Sequence, residues 1–374
     1  MKKHHLGVLV ASAVLAIVAA FWASSVREPV VPENISGTPL LPGLSESVND
    51  VSGLRLVGAG NETFATLTRG EKTWNLTEKS GYRANVADVR ELLFKLSQAK
   101  LLEEKTSNPA YYSRLGVQSV DAADAAGVRV ELEGVSVPAI IVGNWENARE
   151  AVYVRRADEA TSWLVSGVIS ISKDTLQWLD RQALDVNPGR IAEVEIAHPD
   201  GETVLISKSA FGQANFDVEN IPAGRELKRE SIANDMASVV ENLRADDVLS
   251  LANSGFADLK TTRVSYRAFD GFVVHADVAT KDDQYYAHFS AATNAEVAAR
   301  YQPTPEAAEA DAVADAADLG PVAGPAPATE PDLGAVAEEA AALNTHYAEW
   351  VYVLPKSKYD QMSRRMDDLL NESS

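Results

Sequence analysis

One order of strands and helices runs through this chain twice, and that repetition limits what it can fold into more than any other feature. The first pass opens with Val51-Ser52-Gly53-Leu54-Arg55-Leu56, whose apolar and polar residues alternate as in a half-buried strand. Strand character continues through Phe64–Arg69 and Thr73–Leu76, with Gly70 at the turn between them. Asn85 then caps a helix that carries Val86, Val89, Leu92, Leu93 and Leu96 on one face. The second pass opens with Ile191–Ile196, turns at Pro199-Asp200-Gly201 into Thr203–Lys208, and reaches Asn215–Val218 where Thr73–Leu76 stood. Ser231 caps a helix with Ile232, Met236, Val239, Val240 and Leu243 on one face, and Val248-Leu249 echoes Leu101-Leu102.

The parallel extends further. Strand-like runs at Val128–Leu132, Ala139–Val142 and Val152–Arg156 precede Trp163-Leu164-Val165 and a helix at Lys173–Asp180. In the second pass Thr262–Phe269, Phe272–Val278 and Gln284–Ser290 precede Trp350–Val353 and a helix at Lys358–Leu370. Any two α+β stretches can be laid side by side, but matched order, matched caps and a Trp-led strand before each last helix favour duplication. The expected fold is therefore α+β. Two tandem copies of an antiparallel-sheet unit, residues 50–187 and 188–374, carry their helices on one face and join near Asp185–Gly189.

The second copy carries an insertion at about 302–348, rich in Ala, Pro, Glu and Asp. Between Arg300 and Lys356 there are ten acids and no Lys or Arg. One-signed charge with few aromatics cannot support a core, so a disordered loop is expected, with Ala335–Leu343 having the composition of a short helix.

Ahead of the repeats, Met1–His5 forms a tail with Lys2 and Lys3, and an uncharged apolar run spans Leu6–Val26. A helix needs about 20 apolar residues to cross the hydrocarbon of a bilayer, and this run meets that length. Phe21 and Trp22 stand near its end, where aromatic side chains settle at the lipid–water interface. The reading is a single transmembrane helix at 6–26, with the lysines inside and the C-terminal body in the periplasm or outside the cell. A cleaved signal peptide is the competing reading, with Ala23-Ser24-Ser25 as the cut; its apolar core is usually only about 7–15 residues. The Pro-, Gly- and Ser-containing segment 27–49 reads as an extended linker.

Charge and composition exclude several functions. The 374-residue chain has a formal net charge of −20, which repels phosphate backbones and argues against nucleic acid as a partner. It contains no cysteine, so thiolate nucleophiles, disulfides and Cys-ligated metals are excluded. There is no phosphate-binding G-x-x-x-x-G-K-[ST], no H-E-x-x-H and no G-x-S-x-G. Gly58-Ala59-Gly60 reads as a turn between strands. His275 and His288, with Asp277, Asp282 and Asp283, read as the solvent-facing side and turn of a hairpin in preference to a metal site. Tyr153, Arg155 and Arg156 read as pairing on exposed strands in preference to a ligand patch. Trp163, Trp178 and Trp350 read as core anchors, and Asp180-Arg181 as a helix-end charge pair. No catalytic, cofactor-binding or metal residue is assigned, and no cofactor is expected.

Several short motifs resemble a bacterial family catalogued as domain of unknown function 4340. Val51–Leu56 and Lys72–Leu76 resemble its opening strands, Leu92–Leu102 its first helix, and Tyr112-Ser113-Arg114-Leu115-Gly116-Val117 its tyrosine-to-glycine turn. Val142-Gly143, Val152-Tyr153-Val154-Arg155 and Trp178-Leu179-Asp180-Arg181 resemble its later strands and closing helix. The resemblance covers roughly residues 50–210, and the acidic insertion departs from it. It implies a single-anchor protein of the bacterial inner membrane, with no established activity, encoded beside ABC transporter permeases of the gliding-motility type. The expected function is a non-catalytic, envelope-facing binding or scaffold protein acting as an accessory subunit of such a transport system, with a permease as partner. The alternative is an enzyme that processes envelope glycans or peptides with paired carboxylates. Oligomeric state is not legible in the sequence.

Overall fold

The computed structural model describes residues 37–301 and 332–372. The expected anchor at 6–26, the start of the linker and the insertion over 302–331 lie outside these residues. Among the described residues, no helix is long and apolar enough to cross a membrane. Mixed α and β structure dominated by antiparallel sheets is what the chain forms. The described residues fall into two compact units that interleave along the chain. The first takes residues up to 63 with 90–173, and the second takes 64–89 with the residues from 174 onward.

The first unit is built on strands β1 (Gly53–Val57), β5 (Leu101–Thr106), β6 (Val128–Glu133), β7 (Ile140–Glu146), β8 (Ala151–Arg156) and β9 (Ser162–Ser166), in the order β1-β6-β7-β8-β9-β5. Alternation sets the register. Leu56 lies opposite Val130 and Val130 opposite Ile140, while Val128 lies opposite Val142, Val142 opposite Val154 and Val154 opposite Trp163, so two neighbouring apolar rows run across the sheet. The edge strand β5 exposes Glu103 and Glu104, charges that discourage further strand pairing.

Residues 37–49 are not the extended linker expected. Leu40, Leu41 and Leu44 are buried, and a helical turn forms over Leu44–Ser47. Backbone bonds tie the segment down: Leu40 N donates to Ala99 O, Gly37 N donates to Leu101 O, and Leu101 N donates to Thr38 O. Proline content suggested an open chain, but three leucines within five residues supply enough apolar surface to dock it.

Helix α1 (Val86–Gln98) begins where expected. The Asn85 Oδ1 accepts from the amides of Ala87 at 3.2 Å and Asp88 at 3.4 Å, and Val89, Leu92 and Leu96 are buried.

In the second unit β2 (Thr63–Arg69), β3 (Trp74–Leu76) and β4 (Tyr82–Arg83) form an antiparallel ribbon. Its main sheet comprises β11 (Ile191–Ala197), β12 (Thr203–Ser207), β13 (Asp217–Val218), β15 (Asp247–Ser250), β16 (Thr262–Ala268), β17 (Phe272–Lys281), β18 (Gln284–Thr293) and β19 (Trp350–Leu354). The order is β13-β12-β11-β16-β17-β18-β19-β15, and β10 (Gln182–Leu184) pairs separately with β14 (Leu243–Arg244).

The helices depart from expectation in three ways. The helix expected from Ser231 shrinks to α2 (Asn234–Ser238) within a run of turns, although Ile232, Met236, Val239, Val240 and Leu243 are all buried. The one expected at Lys173–Asp180 is a single 3-10 turn, Thr175–Trp178. The one expected at Lys358–Leu370 breaks into α5 (Lys356–Met362) and a turn at Met366–Leu369, after α3 (Ala295–Arg300) and α4 (Leu333–Tyr347).

Helix α4 overturns the disordered reading of the end of the insertion. Val336, Ala340 and Tyr347 are buried, and the Asn344 side chain bonds both backbone groups of Ala291, donating to its O at 2.7 Å and accepting from its N at 2.8 Å. Nor do the helices keep to one face of the main sheet. Tyr347 of α4 packs tilted against Phe289 and edge-on to Tyr352. On the opposite face Phe256, Leu251 and Leu259 pack against Ala279, Tyr286, Val351 and Val353. Both faces of these strands carry apolar residues, so both require cover.

Candidate binding site

The motifs around Tyr112, Gly143 and Arg155 meet at one corner of the first unit. Tyr112–Leu115 form a helical turn that ends on Gly116 at φ +70°, a left-handed conformation suited to glycine. That turn lies directly on β7. The Asn144 Nδ2 donates to Arg114 O at 3.1 Å, and a Cβ on Gly143 would collide with Leu115 O and come within 2.8 Å of Val117 Cγ1. Gly127 is confined in the same way between Gly116 O and Val142 O.

Arg155 closes the corner. Its side chain is buried, its Nε donates to Val117 O at 2.9 Å, and its Nη1 donates to Ala157 O at 3.2 Å and Glu159 O at 3.0 Å. The guanidinium lies 4.9 Å from the Tyr112 ring centroid, and the Tyr112 hydroxyl donates to Ala160 O. Arg155 therefore does not pair on an exposed strand, as its sequence context suggested. It is an internal staple that holds loop carbonyls no strand partner satisfies.

Beside this corner opens a cleft of about 360 Å³. Val128 and Val142 form part of its wall, Gly143 and Ala126 join it to the corner, and Val168, Ile169 and Ile171 face them. The β7–β8 register shifts between Val142 and Trp145, and past this irregularity Trp145 stands 37% exposed at the rim. Val168 is 48% exposed. The single charged lining residue, Lys173, donates its ammonium to Ala126 O at 2.8 Å. Most lining side chains are apolar, the exceptions being Ser170 and one engaged cation, but exposed polar atoms make up about as much of the surface; a cleft of this mixed character suits a protein side chain better than a charged metabolite.

The other residues singled out from the sequence are dispersed. The Tyr153 hydroxyl donates to Glu146 Oε2 at 2.9 Å; burial, and then this carboxylate, raise its pKa. Arg156 donates to Leu40 O at 2.8 and 3.1 Å. His275 Nδ1 meets Ser265 Oγ at 2.9 Å, and His288 Nδ1 donates to Trp350 O at 2.9 Å. Burial, and then the nearby Arg263, lower the His275 pKa. Asp282 and Asp283 form the hairpin turn, both at positive φ. Among the described residues no group of three or more His, Asp or Glu side chains is arranged to hold a metal. Asp180 pairs with Arg83 at 3.0 Å and not with Arg181. Trp163 and Trp178 are buried, and Trp350 packs edge-on to Tyr82 with centroids 4.8 Å apart.

That last contact belongs to an interior aromatic cluster of the second unit. The Tyr82 and Tyr352 hydroxyls lie 3.3 Å apart, and the Tyr352 hydroxyl lies 3.3 Å from His346 Nε2. Burial, and then Arg83, lower the His346 pKa to about 4, while burial raises that of Tyr82. The cluster satisfies its own polar tips. Asp360 and Asp368 are two acids that share a cleft, in the second unit. Asp360 is held by Lys356 at 2.7 Å, and Asp368 Oδ2 accepts from Arg365 N at 2.9 Å.

Trp145 escaped the sequence reading because its neighbours Asn144, Glu146 and Asn147 look like a polar turn. The available signal was a tryptophan isolated among polar residues just after a glycine-ended strand. No curated protein and no solved structure matches the chain at a significant level. A family model does match, over residues 74–265, a stretch that includes Tyr112–Val117, Gly143, Arg155 and the whole Trp145 cleft. The chain belongs to the family described as domain of unknown function (DUF4340).

Proposed function

We propose that this chain is a membrane-tethered, envelope-facing binding protein, an accessory subunit beside an ABC-type transport permease, and that it docks its partner through the Trp145 cleft. The observation that carries the reading is the cleft itself. A tryptophan and a valine stand exposed over a hollow lined mostly by aliphatic side chains, whose frame is fixed by Gly127, Gly143 and the Arg155 staple. Exposed aromatic anchors over preformed apolar hollows are where protein partners gain most binding energy. The tether rests on the Leu6–Val26 run and the lysines before it.

The body is read as two tandem copies of one unit. The order β1-β6-β7-β8-β9-β5 has the same form as β11-β16-β17-β18-β19-β15, and the pairing β2–β3 has its counterpart in β12–β13. A duplicated sheet suits a scaffold, since each copy presents its own surface on a shared backbone plan.

The test is a photo-crosslinking amino acid placed at position 145 in cells, with position 211 as control. Phe211 is also exposed but belongs to the second unit. Adducts at 145, and not at 211, with a polytopic permease subunit are expected. Absence of a membrane-protein adduct at 145, or equal adducts at both positions, contradicts the proposal.

A further inference from the structure

The second unit holds a cleft of opposite character, about 500 Å³ in volume, where α5 and the residues after it face the segment around Lys228. The chain as a whole carries 54 acids to 34 Lys and Arg. In this cleft the balance reverses: Lys228, Arg229, Lys356 and Arg364 line it, against Asp360 and Asp368.

The bonding leaves part of that positive charge unneutralised. Lys228 donates its ammonium to a backbone carbonyl, Asp368 O, at 2.9 Å, so no carboxylate is spent on it. Arg229 and Arg364 share a single carboxylate, Asp235, at 2.5 and 3.3 Å. Arg364 is anchored further by its Nη1, which donates to Ile232 O at 2.9 Å. Lys356 is paired with Asp360. Lys228 and Arg364 are each tied to a backbone carbonyl, whereas Arg229 and Lys356 are held only through exposed ion pairs. The side chains of Arg229 and Lys356 are 58% and 64% exposed, and exposed ion pairs are weak enough for an incoming anion to compete with Asp235 and Asp360 for them.

We infer that this cleft binds a phosphate-bearing ligand, with the Arg229 and Arg364 guanidiniums and the Lys228 and Lys356 ammoniums as its donors. Guanidinium pairs match the oxygens of a phosphate group, and ammoniums add charge without demanding geometry. The volume accommodates a whole small phosphorylated molecule or a lipid headgroup. The site lies on the other unit from the Trp145 cleft and does not depend on the docking proposed there.

The experiment uses the full-length chain in phosphatidylcholine nanodiscs, with thermal unfolding as the readout at constant ionic strength. Inorganic phosphate and glycerol phosphate are titrated in one arm, with sodium chloride as control. In the second arm phosphatidylglycerol replaces part of the lipid. Saturable stabilisation in the first arm assigns a soluble phosphate compound, and stabilisation in the second arm alone assigns a lipid headgroup. In either case the double variant Arg229→Gln with Lys356→Gln is expected to weaken the response by about tenfold or more. Both side chains are exposed, so that variant should fold, as its unfolding temperature without ligand will show. Trp145→Ala should leave the response unchanged. No saturable effect in either arm, or a response that the double variant leaves intact, overturns the inference.

Discussion

At the scale of single residues, Arg155 and Gly143 decide whether the corner beside the Trp145 cleft exists. Truncating Arg155 to alanine leaves the carbonyls of Val117, Ala157 and Glu159 without their donor. The expected cost is about 2–4 kcal/mol in chemical denaturation, with Arg155→Lys recovering only part because an ammonium cannot span the same carbonyls. Gly143→Ala forces Leu115 O aside and should cost about 1–3 kcal/mol. The first loss is one of hydrogen bonds and the second one of fit. A Gly143→Ala protein as stable as wild type would mean that the Tyr112–Val117 turn does not sit on β7.

His346 makes a separate prediction about acid. Its folded pKa, about 4, lies below its ordinary value of 6.5, because burial and then Arg83 oppose the charged ring. Of the other groups facing it, Asp180 favours the charged form, and the Tyr352 hydroxyl bonds the ring. The unfolded chain therefore takes up the proton first. The stability attached to this residue is complete above pH 6.5, falls as pH drops toward about 4, and levels off below that. Water still reaches part of the ring, so the loss should be modest, about 1–2 kcal/mol. Denaturation midpoints measured across this range should show the slope in wild type and a shallower one in His346→Phe.

At the scale of elements, what could be read from the sequence followed from local periodicity. Strands such as Ile191–Ala197 and Thr262–Ala268 alternate cleanly, and Asn85 announces α1, so these were legible. Helix α4 was only partly so. Its alanines favour a helix, and the Asp332 Oδ1 caps it by accepting from Gly334 N at 3.0 Å and Ala335 N at 3.1 Å. Acidic, proline-rich composition just before it outweighed those signals in the sequence. The docking residue, Asn344, cannot be recognised until Ala291 is known to lie past Ala287, the last residue of β18 that pairs with β19. Asn344→Ala should cost about 1–2 kcal/mol and speed hydrogen exchange at the Ala291 amide. Exchange at wild-type rates would place α4 elsewhere. The Trp145 cleft was invisible for a related reason: it depends on an irregularity in the β7–β8 register, and no single strand encodes its partner's register.

At the scale of the whole molecule, the proposed function makes the apolar run at the N-terminus a tether and the body a docking surface. The absence of cysteine makes this directly measurable, since one introduced thiol is the only reactive one in the chain. Ser170→Cys, at an exposed lining residue that leaves Trp145 in place, in the full-length protein in living cells treated as spheroplasts with a membrane-impermeant maleimide, reports both where the body lies and whether the cleft is covered. Labelling without lysis, slower at position 170 than in Phe211→Cys and accelerated when the transport permease is deleted, is the predicted result. Labelling that appears only after the cells are lysed would place the body in the cytoplasm and contradict the account.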